Sequence, residues 1–182
     1  VAVKRGQVTL SLVLVVALVL VVVVGVLRLA QMRSVPLGAA RAAPTQGAGP
    51  ATVELSADAA NHSAATTVRD LLTKHFDAIN DKDYQTWATT VVPARVTGQP
   101  KTAWDDAYDS TTDGTIRISR IDEQGPNRLL ALVSFTSTQD PSSGPERFKL
   151  PQLCWRVAFQ LVGDPPLIDV SRVGSQLLGP CS

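Results

Sequence analysis

No acidic residue precedes Glu54, although the 182-residue chain carries sixteen of them. Lys4, Arg5, Arg28, Arg33 and Arg41 occupy that acid-free stretch, so the remainder of the chain holds twelve basic residues against sixteen acidic ones. A region with that balance repels a phosphate backbone, and it has no basic stripe interleaved with aromatics; nucleic acid is excluded as a partner. Histidine is equally scarce, only His62 and His75, and the two cysteines, Cys154 and Cys181, form no CxxC unit. Without HExxH, a Cys/His cluster or a glycine-rich phosphate loop, no metal site and no cofactor are expected. Serine or cysteine nucleophiles lack a base that sequence places beside them. Asp105 and Asp106 are adjacent, and neighbours on a helix point roughly 100° apart, so they do not converge as an acid–base pair. His75 lies at the margin of an apolar helical stripe and reads as a structural or surface histidine.

What the chain does have is one long apolar run. From Val8 to Leu27 it reads VTLSLVLVVALVLVVVVGVL, without a charge. Twenty such residues rise about 30 Å as a helix, the thickness of the hydrocarbon layer. Lipid leaves a backbone little choice but to close its hydrogen bonds locally, which overrides the weak helix propensity of valine. The competing reading is a cleaved signal peptide, with Ala40-Arg41-Ala42 as a small-x-small site, but the run exceeds a usual signal core and Arg28 follows it directly. An uncleaved anchor over residues 1–33 is therefore expected, with the lipid bilayer as its partner. No cysteine follows the run, which excludes a lipoprotein anchor. Basic residues flank both ends, so the charge rule does not settle orientation.

The cysteines bear on that question. Cys181 follows Gly179-Pro180 near the chain end, a poor place for a buried thiol. With Cys154 it reads as a staple that ties down the C-terminal segment. Such bonds persist in oxidising compartments, so a Cys154–Cys181 disulfide favours a C-terminal domain outside the cytoplasm.

Residues 34–63 are rich in Ala, Gly and Pro, with Pro36, Gly38, Pro44, Gly47, Gly49 and Pro50 among them, and no apolar period. They read as a flexible tether. A globular domain is expected over residues 64–182. Val68, Leu71, Leu72, Phe76 and Ile79 recur at three and four residues, an amphipathic helix. Asn80-Asp81-Lys82-Asp83 breaks it. A second helix from Tyr84 to about Val92 carries Tyr84, Trp87 and Val91 until Pro93 ends it, and Lys101 to Tyr108 forms a further helical turn. The period then changes to two: Ile116 and Ile118; Leu129, Ala131, Val133 and Phe135; Val157, Phe159 and Leu161; Ile168 and Val170. Short turns between consecutive strands predict antiparallel neighbours, hence an α+β domain with helices covering one face of the sheet.

The order of these elements, with the phrase HFDAINDKDYQTWATTVV (His75 to Val92), resembles the nuclear transport factor 2-like superfamily. Tyr108-Asp109-Ser110-Thr111-Thr112 leading into Ile116, Cys154-Trp155 and the late cysteine also resemble membrane-anchored exported domains of actinobacteria. The resemblance implies a cone-shaped, cystatin-like fold, two or three helices packed on a curved antiparallel sheet. Tyr84, Trp87, Trp104, Tyr108, Phe135 and Trp155 are candidates to line the interior of such a cone, unless they simply fill its core. Members of the superfamily include scaffolding subunits and enzymes alike. The leading expectation is a non-enzymatic binding or scaffolding domain with a protein partner in a cell-envelope assembly. The alternative is a carrier of small apolar ligands, or an isomerase-, hydrolase- or cyclase-like enzyme, and that alternative requires a hollow interior holding a buried Asp, Tyr or His.

Overall fold

Ser56, Asp83 and Pro93 start three of the helices. The Ser56 hydroxyl accepts from the Ala59 N–H and the Asp83 side chain from the Thr86 N–H, while Pro93 occupies a first helical position, where its missing N–H costs nothing. The computed structural model describes Pro44, residues 46–169 and residues 176–181. Helices α1 (Ala57–Ala60), α2 (Ala65–Asn80), α3 (Tyr84–Ala88), α4 (Pro93–Gly98) and α5 (Lys101–Tyr108) precede most of the sheet. Six strands make that sheet: β1 (Glu54–Leu55), β2 (Thr112–Gly125), β3 (Arg128–Thr138), β4 (Gln152–Val162), β5 (Leu167–Asp169) and β6 (Gln176–Gly179). They run in the order β1-β2-β3-β4-β5, with β6 also paired to β4. The result is an α+β domain on a curved sheet.

Three expectations need correction. The sheet is mixed rather than antiparallel, because β1 pairs parallel with β2 through Glu54–Arg117 and Leu55–Ile118. Five helices separate β1 from β2, a connection long enough for the crossover that parallel neighbours require. The tether is shorter than residues 34–63. Ala48 and Val53 are buried, the Thr115 N–H donates to Pro50 O at 2.7 Å, and Gln152 Nε2 donates to Pro44 O and Gly47 O. Small residues fit there because the backbone passes directly over Gly114, where an added Cβ would meet Gly49 O at 2.4 Å. Finally, Pro93 opens α4 instead of only closing the helix before it, and α1 forms within the expected tether, so five α-helices stand among the described residues where two or three were expected. The apolar segment 8–27 lies outside the described residues; among them no helix is long and apolar enough to cross a membrane.

The core forms between the inner sheet face and α2. Val68, Leu72, Phe76 and Ile79 meet Ala131, Val133, Val157, Phe159 and Leu161. Register shifts in the β2–β3 pairing lie between Gly114 and Arg117 and between Ile118 and Arg120. Each irregularity changes which residues face inward, so Asp113, Ile116, Ile118 and Ile121 are all buried on one strand. Bulges of this kind also bend the strand, which is how the sheet curves around α2. Cys154 and Cys181 are joined in a disulfide that holds the segment after β6 against β4.

Candidate functional site

Curvature leaves a cavity of about 370 Å³ between α2, the α3–α5 layer and the inner faces of β2, β3 and β4. Its apolar wall is mostly aromatic. Phe135 and Trp155, cross-strand partners on β3 and β4, stack with centroids 5.7 Å apart and planes 5° from parallel. Phe76 meets Phe135 edge-on at 5.0 Å and Phe159 at 6.3 Å. The Trp155 indole N–H donates to Ser137 Oγ at 2.6 Å, which fixes the ring. Trp87, Val91 and Val157 complete the hydrocarbon surface.

Polar groups also line the cavity. His75 is buried on α2, its Nδ1 2.7 Å from Thr90 Oγ1. The Thr90 hydroxyl spends its own proton on Trp87 O, also at 2.7 Å, so Nδ1 carries the imidazole proton and donates. Nε2 is then the unprotonated nitrogen. Burial, reinforced by the charge of Arg95, lowers the His75 pKa to about 3, so the ring is neutral at physiological pH.

Asp113 is only 3 % exposed. Burial raises its pKa to about 7, against the opposing pull of the Lys82 ammonium. Its backbone is clamped by Asn80 at the end of α2: Asn80 Nδ2 donates to Asp113 O at 2.9 Å, and the Asp113 N–H donates to Asn80 Oδ1 at 2.7 Å. Lys82, in a left-handed conformation at φ 59°, donates from Nζ to Ile79 O and Thr111 O, which braces the same corner. Yet Asp113 Oδ1 has no hydrogen-bond partner, and neither has Gln139 Nε2 on another part of the wall. Native proteins rarely leave buried polar atoms in that condition.

Tyr108 closes the set. It keeps a partly exposed flank, but its hydroxyl lies deep enough for burial to raise its pKa. Arg95 opposes that shift as a charge and as a hydrogen-bonding group, and Asp113 adds to it. Arg95 forms no ion pair among the described residues, whose ion pairs lie elsewhere on the surface.

Of the aromatics expected to line a cone, Trp87, Tyr108, Phe135 and Trp155 border the cavity. Tyr84 and Trp104 do not. Tyr84 stacks on the far side of Trp87 at 5.5 Å, and Trp104, fully buried, packs against both rings. Sequence reasoning did not single out Asp113 or Arg95, and it gave His75 a structural or surface role. Extending the alternation of Ile116 and Ile118 backwards points residue 114 inward, not 113; the irregularity reverses this, and nothing in the local sequence announces it.

Among the described residues no cluster of His, Cys, Asp or Glu is arranged to hold a metal ion. No protein-family model, no characterised protein and no solved structure matches the chain.

Proposed function

We propose that the domain is a small-ligand-binding module, carried on a membrane anchor outside the cytoplasm, with the cavity between α2 and the sheet as its binding site. One observation carries the reading: a cavity of about 370 Å³ walled by Phe76, Phe135, Trp155 and Phe159 holds a buried carboxyl whose Oδ1 lacks a partner. Its volume lies at the lower end for small-molecule sites, and an apolar wall with a few convergent polar groups is their usual make-up. A ligand that donates to Asp113 satisfies the unpaired atom. The role is binding without catalysis.

The curved sheet closed by helices supports the reading, since that arrangement encloses such a cavity. The disulfide supports the extracytoplasmic location, because it needs an oxidising medium. A scaffolding role through an apolar face has less support. Leu177 is the one large apolar side chain strongly exposed among the described residues, and a partner surface is usually broader.

Saturable one-to-one binding of naphthamide, a neutral bicyclic probe, tests the site by calorimetry on the full chain in lipid nanodiscs. Ala107 is exposed at the rim of the cavity, so A107W places an indole across the mouth without disturbing the core. Wild type is expected to bind the probe and A107W, with an unchanged circular dichroism spectrum, to lose it. Absence of binding to wild type, or equal binding to both, refutes the reading.

A further inference from the structure

The lining of the cavity is rich in donors and bears one permanent charge. Arg95 supplies a guanidinium, Tyr108 a phenol and Gln139 an amide N–H without a partner. His75 adds no charge, because its ring is neutral. No carboxylate of the described residues lies within ion-pair distance of Arg95, so the N–H donors of its fork that are not turned to Tyr108 are available to a bound group. Arg95, His75 and Tyr108 all line this one cavity. The carboxyl of Asp113 feels Lys82 as its charged neighbour, not Arg95, so the cation of the cavity is not neutralised from that side.

From this arrangement we infer that the ligand is an amphiphilic monocarboxylate, held with its carboxylate on Arg95 and Tyr108 and its apolar body among Phe76, Phe135, Trp155 and Phe159. The inference rests on the cavity being a binding site and names the chemistry of what enters it. A planar guanidinium matches a carboxylate with two parallel hydrogen bonds, and Tyr108 adds a third donor beside it. While Asp113 keeps its proton, one cation balances one negative charge. A phosphate dianion would keep a surplus charge in a largely apolar enclosure, which is costly. The stacked Phe135–Trp155 pair offers a flat surface, which suits an aromatic or alicyclic body. Asp113 Oδ1 is left for a second, hydrogen-donating group on the ligand, such as a hydroxyl.

The test compares naphthoate with naphthamide, nearly identical in shape and different in charge, by calorimetry on the full chain in nanodiscs with empty nanodiscs as the blank. Wild type at pH 6, where Asp113 keeps its proton, is expected to bind naphthoate about ten- to a hundredfold more tightly than naphthamide, the range for charge-assisted hydrogen bonds at a partly enclosed site. In R95Q the preference disappears, naphthoate binding no more tightly than naphthamide; R95K, which keeps the charge without the fork, retains part of it. If wild type binds both probes equally, the carboxylate inference is overturned and the binding site stands. A preference for naphthoate that persists in R95Q overturns it as well, by placing the anion elsewhere. If neither probe binds, the site itself is refuted and the inference with it.

Discussion

Replacing Asp113 with asparagine should make the protein more stable at pH 8 and change little at pH 4. In the unfolded chain this carboxyl loses its proton near 3.8; in the folded protein it holds the proton to about 7. Between those values the folded state binds the proton and the unfolded state does not, so raising the pH destabilises the fold. Three units at about 1.4 kcal/mol each give an upper bound of about 4 kcal/mol, reached above pH 7. Water in the cavity reduces the effect, and about 2 kcal/mol is a reasonable expectation, equivalent to about 4–8 °C in Tm for a chain of this length. Asparagine keeps the shape, and the Asn80 clamp survives because it engages only the backbone of residue 113. His75 acts in the opposite sense. Its folded pKa, lowered to about 3 from 6.5, means that the unfolded chain takes up a proton first as the pH falls, so its contribution to stability is lost below 6.5. The two slopes oppose each other between 3.8 and 6.5, and the wild type should show a flat profile there. D113N removes one of them, leaving a protein whose Tm climbs from pH 4 to pH 6.5. Thermal melts followed by circular dichroism across pH 4–8 measure both curves. A D113N melt parallel to that of wild type, or lower than it at pH 8, would refute the reasoning.

Other perturbations act on the supports of the site. C154S/C181S should cost about 3–4 kcal/mol, from the loop spanned by 27 residues of separation, read as a lower denaturant midpoint that reductant does not move further. Asn80→Ala removes both hydrogen bonds to the Asp113 backbone; a loss of about 2 kcal/mol is expected in urea unfolding, and a loss under about 0.5 kcal/mol would show that the clamp contributes little. Thr90→Val leaves the His75 Nδ1–H buried without an acceptor and should destabilise by about 1–3 kcal/mol, whereas Thr90→Ser, which keeps the hydroxyl, should cost markedly less; equal losses would assign the effect to packing.

Regular periodicity made much of the fold legible. The stripe from Val68 to Ile79 marks α2, and the alternations through Phe135 and Leu161 mark β3 and β4, because each buries one face along its whole length. Elements held by other forces were not visible. β1 is two residues long, too short for any pattern, and exists because the sheet supplies its partner. Pro93 carries two opposite meanings, stop and start, and only the chain beyond it decides between them. The aromatic wall was partly legible because large rings are rarely neutral in placement. The polar set was not. Asp113 owes its position to an irregular strand, and His75 its tautomer to Thr90, fifteen residues away, so both are properties of the assembled structure rather than of any local stretch.

The pairing of β4 has a consequence for the protein among its neighbours. Its outer margin is shared by two short strands, β6 along Cys154–Val157 and β5 along Gln160–Val162. An eleven-residue strand therefore offers no long open ladder to another copy of the chain, and the disulfide stops the shield from peeling away. Past the contacts of β1, the free margin of β2 carries Arg120, Asp122 and Glu123, charges that discourage a second sheet from adding on. At high local concentration the chain is protected from polymerising by the same few residues that finish its fold.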